Sequence, residues 1–248
     1  MKKADVNKAP KIWDRSRQFT HKLYWSVKYY GLDLTILAFM IKILSFLSKD
    51  LAPTDWYKRT TSRRFDKRFG VDTAGCITTE QLDISNHQKQ QAIQYQPTAS
   101  VTFRLMLSEL PINYSDYVFV DYGSGKGRAL ILAAHFPFKR IVGVDVSNKL
   151  HQIAHDNIRR FLAQRVKCRN ILSVCEDATT FDLPNEPLVI YLFHPFKQEV
   201  LTAVLNNIGR SLEHRFRHII ILYRHPQHPE IKNLLFEAEF LRKADDRN

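Results

Sequence analysis

Residues 117–130 read Tyr-Val-Phe-Val-Asp-Tyr-Gly-Ser-Gly-Lys-Gly-Arg-Ala-Leu, and this stretch decides the fold. Val118, Phe119 and Val120 are β-branched or aromatic, in a run too short for a helix, so they predict a buried strand. Gly123 and Gly125 permit backbone angles and close approaches that a Cβ would forbid. The amides of a helix starting just beyond would offer donors and the positive end of a dipole to a ligand at the sheet's carboxyl edge. The glycine spacing narrows the ligand. A dinucleotide fingerprint requires G-x-G-x-x-G, whereas here Gly127 comes one position early and Arg128 stands where the third glycine belongs. A P-loop is excluded too, because Lys126 is followed by Gly127 rather than Ser or Thr.

Working outward, two more strands end in acids. Arg140–Val144 leads into Asp145, 18 residues after Gly127, where a carboxylate is expected to meet ribose hydroxyls. Ile171–Ala178 reads as the third strand, with the acids Glu176 and Asp177 at its end. Ser147 is placed to cap the intervening helix. Pro187–Phe196 reads as a fourth strand with its exit and His218–Tyr223 as a fifth, with a helical pattern through Val200, Leu201, Val204, Leu205 and Ile208 between them. Strand-helix alternation predicts parallel pairing.

An acid ending the first strand, Asp121, followed by Gly123-x-Gly125-x-Gly127, resembles the first motif of class I S-adenosylmethionine-dependent methyltransferases, and Asp145 and Asp177 match that family's later acids. The resemblance covers residues 95–225. It implies a Rossmann-like, doubly wound, mainly parallel α/β sheet, abbreviated at its C-terminal edge, with S-adenosyl-L-methionine as cofactor. It implies that Asp121 binds the methionine amine and that Gly123, Ser124, Gly125 and Gly127 admit the cofactor backbone. Asp145 with Val146 would take the ribose, and Glu176 with Asp177 the adenine.

Tyr95-Gln96-Pro97-Thr98 is similar to an element preceding the same helix in lysine methyltransferases of the disruptor-of-telomeric-silencing and mitochondrial ATP-synthase c-subunit types. There it closes over the methionine end, which assigns Tyr95 and Thr98 to the cofactor; Thr98 is also the expected helix cap. The fourth strand exits at His194-Pro195-Phe196, where the superfamily often has Asn or Asp followed by Pro-Pro-Tyr/Phe. The departure leaves the target atom open and makes His194 and Phe196 the candidate catalytic residues, with His194 also facing the cofactor. A neutral histidine accepts one hydrogen bond or acts as a base. A protein amine is the leading acceptor, by similarity to bacterial relatives of the protein-lysine branch; RNA or a small molecule is the alternative. From other classes, an NAD-dependent oxidoreductase or a non-catalytic membrane- or nucleic-acid-binding protein compete.

The chain of 248 residues, 44% hydrophobic and 25% charged, suits one domain with an extension. Cys76, Cys168 and Cys175 form no C-x-x-C pair, which argues against a disulfide framework or a zinc site; at least two are expected to be buried thiols, and a reducing, cytoplasmic setting is expected. His225 and His228 lack a completing Cys or carboxylate, so no metal is expected. Residues 1–70 carry 16 Lys/Arg against 6 Asp/Glu and so hold 10 of the net +12 charges. That basic character makes an anionic membrane surface or nucleic acid the expected partner of the extension, peripheral to a membrane in the first case.

Residues 1–20 are polar, basic and aperiodic, and a flexible tail is expected. Residues 21–92 form a helical, basic extension and loop, and 93–248 the cofactor-binding domain. Asp33 and Lys42 interrupt the apolar stretch from Leu23 to Leu47, so no unbroken run approaches the roughly 18–20 residues of a membrane span. One or two helices ending before Pro53 are expected instead. Gly70 and Gly75 predict a shaped loop over Arg63–Gly75.

Overall fold

The computed structural model describes residues 12–47, 54–161, 166–224 and 229–242. The chain opens with α1 (Ile12–Tyr30), α2 (Leu32–Leu47) and α3 (Thr54–Phe69), then α4 (Asn86–Gln91) and α5 (Ser100–Ser108). The sheet follows: β1 (Val118–Tyr122), α6 (Arg128–Ala133), β2 (Arg140–Asp145), α7 (Asn148–Phe161), β3 (Ile171–Cys175), β4 (Leu188–Leu192), α8 (Gln198–His214), β5 (Ile219–Tyr223) and α9 (Pro229–Glu237).

The strand order is β3-β2-β1-β4-β5 with every pairing parallel. Parallel strands covered on both faces need apolar side chains on both, and all five residues of β1 and of β4 are buried. Alternation along the strands divides the core. Phe119, Ile141 and Val189 face α5, α6 and α7, while Val118, Val120, Val142 and Ile190 face α8 and α9. The connections leave β1 toward opposite edges through β2 and β4. A crevice therefore opens at the carboxyl ends of these strands, the usual ligand position in such sheets. No antiparallel closing strand occurs among the described residues, so the edge expected to be abbreviated ends at β5.

The extension shares the core of the α6 side. Tyr29, Tyr30, Leu34, Phe65 and Phe69 are buried in the same cluster as Leu130, Ile131 and Phe161. Phe69 contacts Phe161 edge-on at 5.7 Å between ring centroids, and the Arg104 guanidinium lies 3.4 Å from the centroid of a Trp25 ring.

Four expectations need correction. The helix begins at Ile12, inside the segment expected to be an aperiodic tail. Arg63–Phe69 is the end of α3, not a loop; Phe65 and Phe69, four apart on one helical face, bury against the domain, and the loop starts only at Gly70, with φ +68°. Thr98 does not cap α5, because the cap position is Ala99 and the Thr98 hydroxyl is paired elsewhere. Only Cys168 is buried; Cys76 and Cys175 are exposed. His225 and His228 lie outside the described residues.

Candidate active site

The glycine turn is held by the acid of the next strand. Asp145, at the end of β2, accepts the Gly125 amide at 2.8 Å through one carboxylate oxygen and the Ser147 amide at 3.0 Å through the other. Gly123, Gly125 and Gly127 all have positive φ, at +72°, +54° and +82°. A Cβ at Gly123 would lie 2.5 Å from the Pro195 ring, and one at Gly125 would lie 2.3 Å from the Tyr95 ring, so both positions admit only glycine. Gly127 serves another purpose than the one expected. Its Cα approaches α7, where an added Cβ would come within 3.2 Å of Ala154, so it permits helix packing rather than ligand approach.

Around the turn lies a cavity of about 330 Å³. Gly123, Gly125, Asp145, Val146, Glu176, Asp177, His194 and Phe196 line it, together with Tyr95. A second, small chamber of about 20 Å³ lies beside it, lined by Asp121, Ser124, Thr98 and Tyr191 and sharing the walls Tyr95 and Gly123 with the first. The expected cofactor residues are thus gathered at one edge of the sheet, Gly127 excepted, but the Tyr95 ring partitions them. Tyr95 is fixed there by its hydroxyl, which donates to the Thr73 carbonyl at 2.7 Å. Thr98 faces the small chamber with its hydroxyl 2.6 Å from that of Tyr191.

The electrostatics of this edge are dominated by carboxylates. Asp121 is buried and has no side-chain hydrogen bond among the described residues; burial first, and the nearby Asp145 second, push its carboxyl well above the usual range. Burial pushes Asp145 up to about 6, against the opposing effect of the Ser147 and Gly125 amides. The Ser124 hydroxyl is buried without a partner. Past β3, one oxygen of Asp177 accepts the Thr179 amide at 2.9 Å and the Thr179 hydroxyl at 2.7 Å, which orients the carboxylate.

His194 is the one described non-glycine residue with positive φ, at +44°, a conformation that costs of order 1–3 kcal/mol. Its Nδ1 lies 3.0 Å from the Tyr223 hydroxyl at the neighbouring tip of β5. Burial pushes the Tyr223 hydroxyl upward, so it stays protonated. The Pro195 carbonyl accepts the Ile93 amide at 3.2 Å, and Lys197 donates to Gln91, which ties the β4 exit to the segment after α4.

Several residues of the site were not legible beforehand. Tyr223 carried a readable signal, since it ends the strand paired with β4. Asp83, which accepts the Ser147 hydroxyl at 2.6 Å and the Lys149 amide at 2.9 Å at the start of α7, carried none. The same holds for the rim residues His87, Gln88, Gln91 and Glu199, of which Gln91 donates to Glu199 at 2.6 Å.

Behind the turn, neither the lysine nor the arginine of the glycine motif lines the larger cavity, although Arg128 borders the small chamber. Lys126 Nζ donates to Asp72 and to the Ala74 carbonyl, each at 3.0 Å. Arg128 donates to the Thr73 hydroxyl at 2.7 Å, to Asp66 at 3.1 Å and to the Ser62 carbonyl at 3.2 Å. Asp66 also accepts the amides of Thr73 and Ala74. Asn157 closes the arrangement by donating to the Asp72 and Lys126 carbonyls. Asp66 to Ala74 thus forms a strap fastened to the back of the glycine turn.

This is a Rossmann-like, doubly wound α/β fold. That attribution rests on the all-parallel strand order. No protein-family model matches the chain. No curated protein matches it either. Among solved structures it is similar to the segment StiE O-MT residues 961-1257, with 19% identity over 49% of this chain, 42% of that chain and a TM-score of 0.36. It is also similar to the ribosomal protein L11 methylase of Lactobacillus delbrueckii subsp. bulgaricus, with 16% identity, 67% of this chain, 76% of that chain and a TM-score of 0.43. For an RNA methyltransferase from Salinibacter ruber, solved in complex with S-adenosyl-L-homocysteine, the values are 20%, 51%, 76% and 0.37. The chain thus spans less than half of the first of these structures.

Proposed function

We propose that this protein is an S-adenosylmethionine-dependent methyltransferase whose acceptor is a protein amine. The observation that carries the cofactor is the set of carboxylates at successive strand tips, Asp121, Asp145 and Asp177, around a turn that admits only glycine at Gly123 and Gly125. Asp121 and the Ser124 hydroxyl are buried polar groups without side-chain partners, and an ammonium ion supplies what the pair of raised carboxyls lacks. The fit is therefore good at the amino-acid end, provided that Tyr95 shifts to join the two chambers.

When bound, the cofactor supplies an electrophilic methyl group on a sulfonium. This chain's residues then bind and orient. Asp121 would hold the ammonium, and Asp145 would accept ribose hydroxyls beside the two amides it already takes. The outer oxygen of Asp177 accepts the adenine amine. His194 lines the cavity beside the Tyr223 hydroxyl, and an imidazole in that place is the candidate base for a proton from the acceptor. Pro195 and Phe196 wall the cavity against water, and alignment in a dry site is most of what methyl transfer needs.

Charge supports the choice of acceptor. The acidic and basic side chains lining the cavity, among the described residues, are Asp145, Glu176, Asp177 and Glu199 with two histidines, and none is Lys or Arg. A polyanion such as RNA would find no phosphate partner in that lining, whereas an amine would meet Glu199 on the rim, an acid that the cofactor does not use.

Incubating a cell lysate with the full-length protein and methyl-labelled cofactor tests both halves. Label in protease-sensitive, ribonuclease-resistant material is expected. Ribonuclease-sensitive label would move the acceptor to RNA, and absence of any cofactor binding by calorimetry would overturn the enzyme itself.

A further inference from the structure

The extension has a second face that the fold leaves uncovered. On α2, Leu34 and Ile41 are buried, yet Leu32, Ile36, Phe39, Met40 and Ile43 each expose half or more of their surface. Their spacing of four, three, one and three residues keeps them on a single stripe. On α1, Leu23 and Tyr24 are also each about half exposed. A helix apolar on both faces belongs against something on both. Charge names the partner. Lys22, Lys28 and Lys42 are exposed on the same two helices, Lys42 one turn from Phe39. The one acid within residues 19–43, Asp33, is paired with Arg64 at 2.6 Å.

We propose that the α1–α2 hairpin is a docking face for an anionic lipid bilayer, lying in the headgroup region with the α2 stripe among the acyl chains. No helix among the described residues is long and apolar enough to cross a membrane, so the geometry is that of a helix pair resting in the interface. A second copy of the chain fits less well, because it would bring the lysines of one face against those of the other. Nucleic acid would use the lysines but leave the stripe unexplained.

The test is co-sedimentation of the full-length protein with phosphatidylcholine vesicles, with or without about one-third phosphatidylglycerol, at low and high salt. Binding to the anionic vesicles alone, weakened by salt, is expected. The triple variant Ile36→Gln, Phe39→Gln, Ile43→Gln should reduce it roughly tenfold or more while leaving the melting temperature unchanged. The pair Lys22→Glu, Lys42→Glu should reduce it without touching the stripe. Brominated acyl chains should quench tryptophan fluorescence in the parent protein. Failure to bind any vesicle overturns the proposal. So does RNA binding that the triple variant leaves intact together with equal vesicle binding by parent and variant, or a dimer that the triple variant dissociates without any vesicle binding.

Discussion

The glycine turn has two sides built on opposite physics. Its front, Gly123 and Gly125, is bare backbone held by one carboxylate and facing a cavity. Its back, Lys126 and Arg128, is two buried cations locked to a strap that begins some sixty residues earlier in the chain. The front gains its capacity by omitting side chains; the back fixes the turn's position by adding the longest ones. A ligand site of this kind is only as rigid as whatever stands behind it.

Substitutions separate the two sides. Arg128→Met should have the largest effect on stability. It leaves Asp66 buried without its cation, a change worth about 3–5 kcal/mol and visible as a lowered denaturant midpoint. Were the midpoint to stay put, the strap would not be fastening the turn. His135, packed between Phe69 and Phe161, comes next. Burial, with Arg104 and Lys28 adding to it, pushes its pKa down to about 4 from 6.5. Because the unfolded chain binds the proton more tightly, stability is complete above pH 6.5 and falls as pH drops through 4, by up to about 3 kcal/mol. His135→Leu should flatten that slope in melting curves taken from pH 4 to 7. On the front side, Asp145→Asn should weaken cofactor binding roughly ten- to a hundredfold with a much smaller shift in melting. In the parent protein, affinity should fall as pH drops below about 6, when the Asp145 carboxylate takes up its proton; the Asn variant should lack that dependence. Smallest is Tyr95→Phe, which frees the ring from the Thr73 carbonyl at a cost of about 1 kcal/mol and should speed cofactor association in stopped-flow measurements.

The front was legible in the sequence and the back was not, for a physical reason. Strand, glycine turn and acid lie within a few residues of each other, and short-range patterns encode short-range geometry. All five strands, and the gathering of Asp121, Asp145 and Asp177 at one edge, followed from such patterns. The strap depends on pairs such as Arg128 with Asp66 and Asn157 with Asp72, which no local pattern links. The buried face of α3 is Thr61, Ser62, Phe65 and Phe69, too polar to read as a core stripe. Its two phenylalanines, one helical turn apart, were the available signal. The packing of Gly127 against Ala154 was not legible, because a motif records which residue is small, not which neighbour requires it to be.

The strap also sets an order of events during synthesis. α1 to α3 leave the ribosome first, yet the groups that cover Phe65 and neutralise Asp66 belong to α6, made some sixty residues later. Until then the extension has no partner for its inner face, and its outer face is the apolar stripe of α2. The nascent chain is therefore most exposed to aggregation, and to capture by chaperones, in the interval between the emergence of α3 and that of α6.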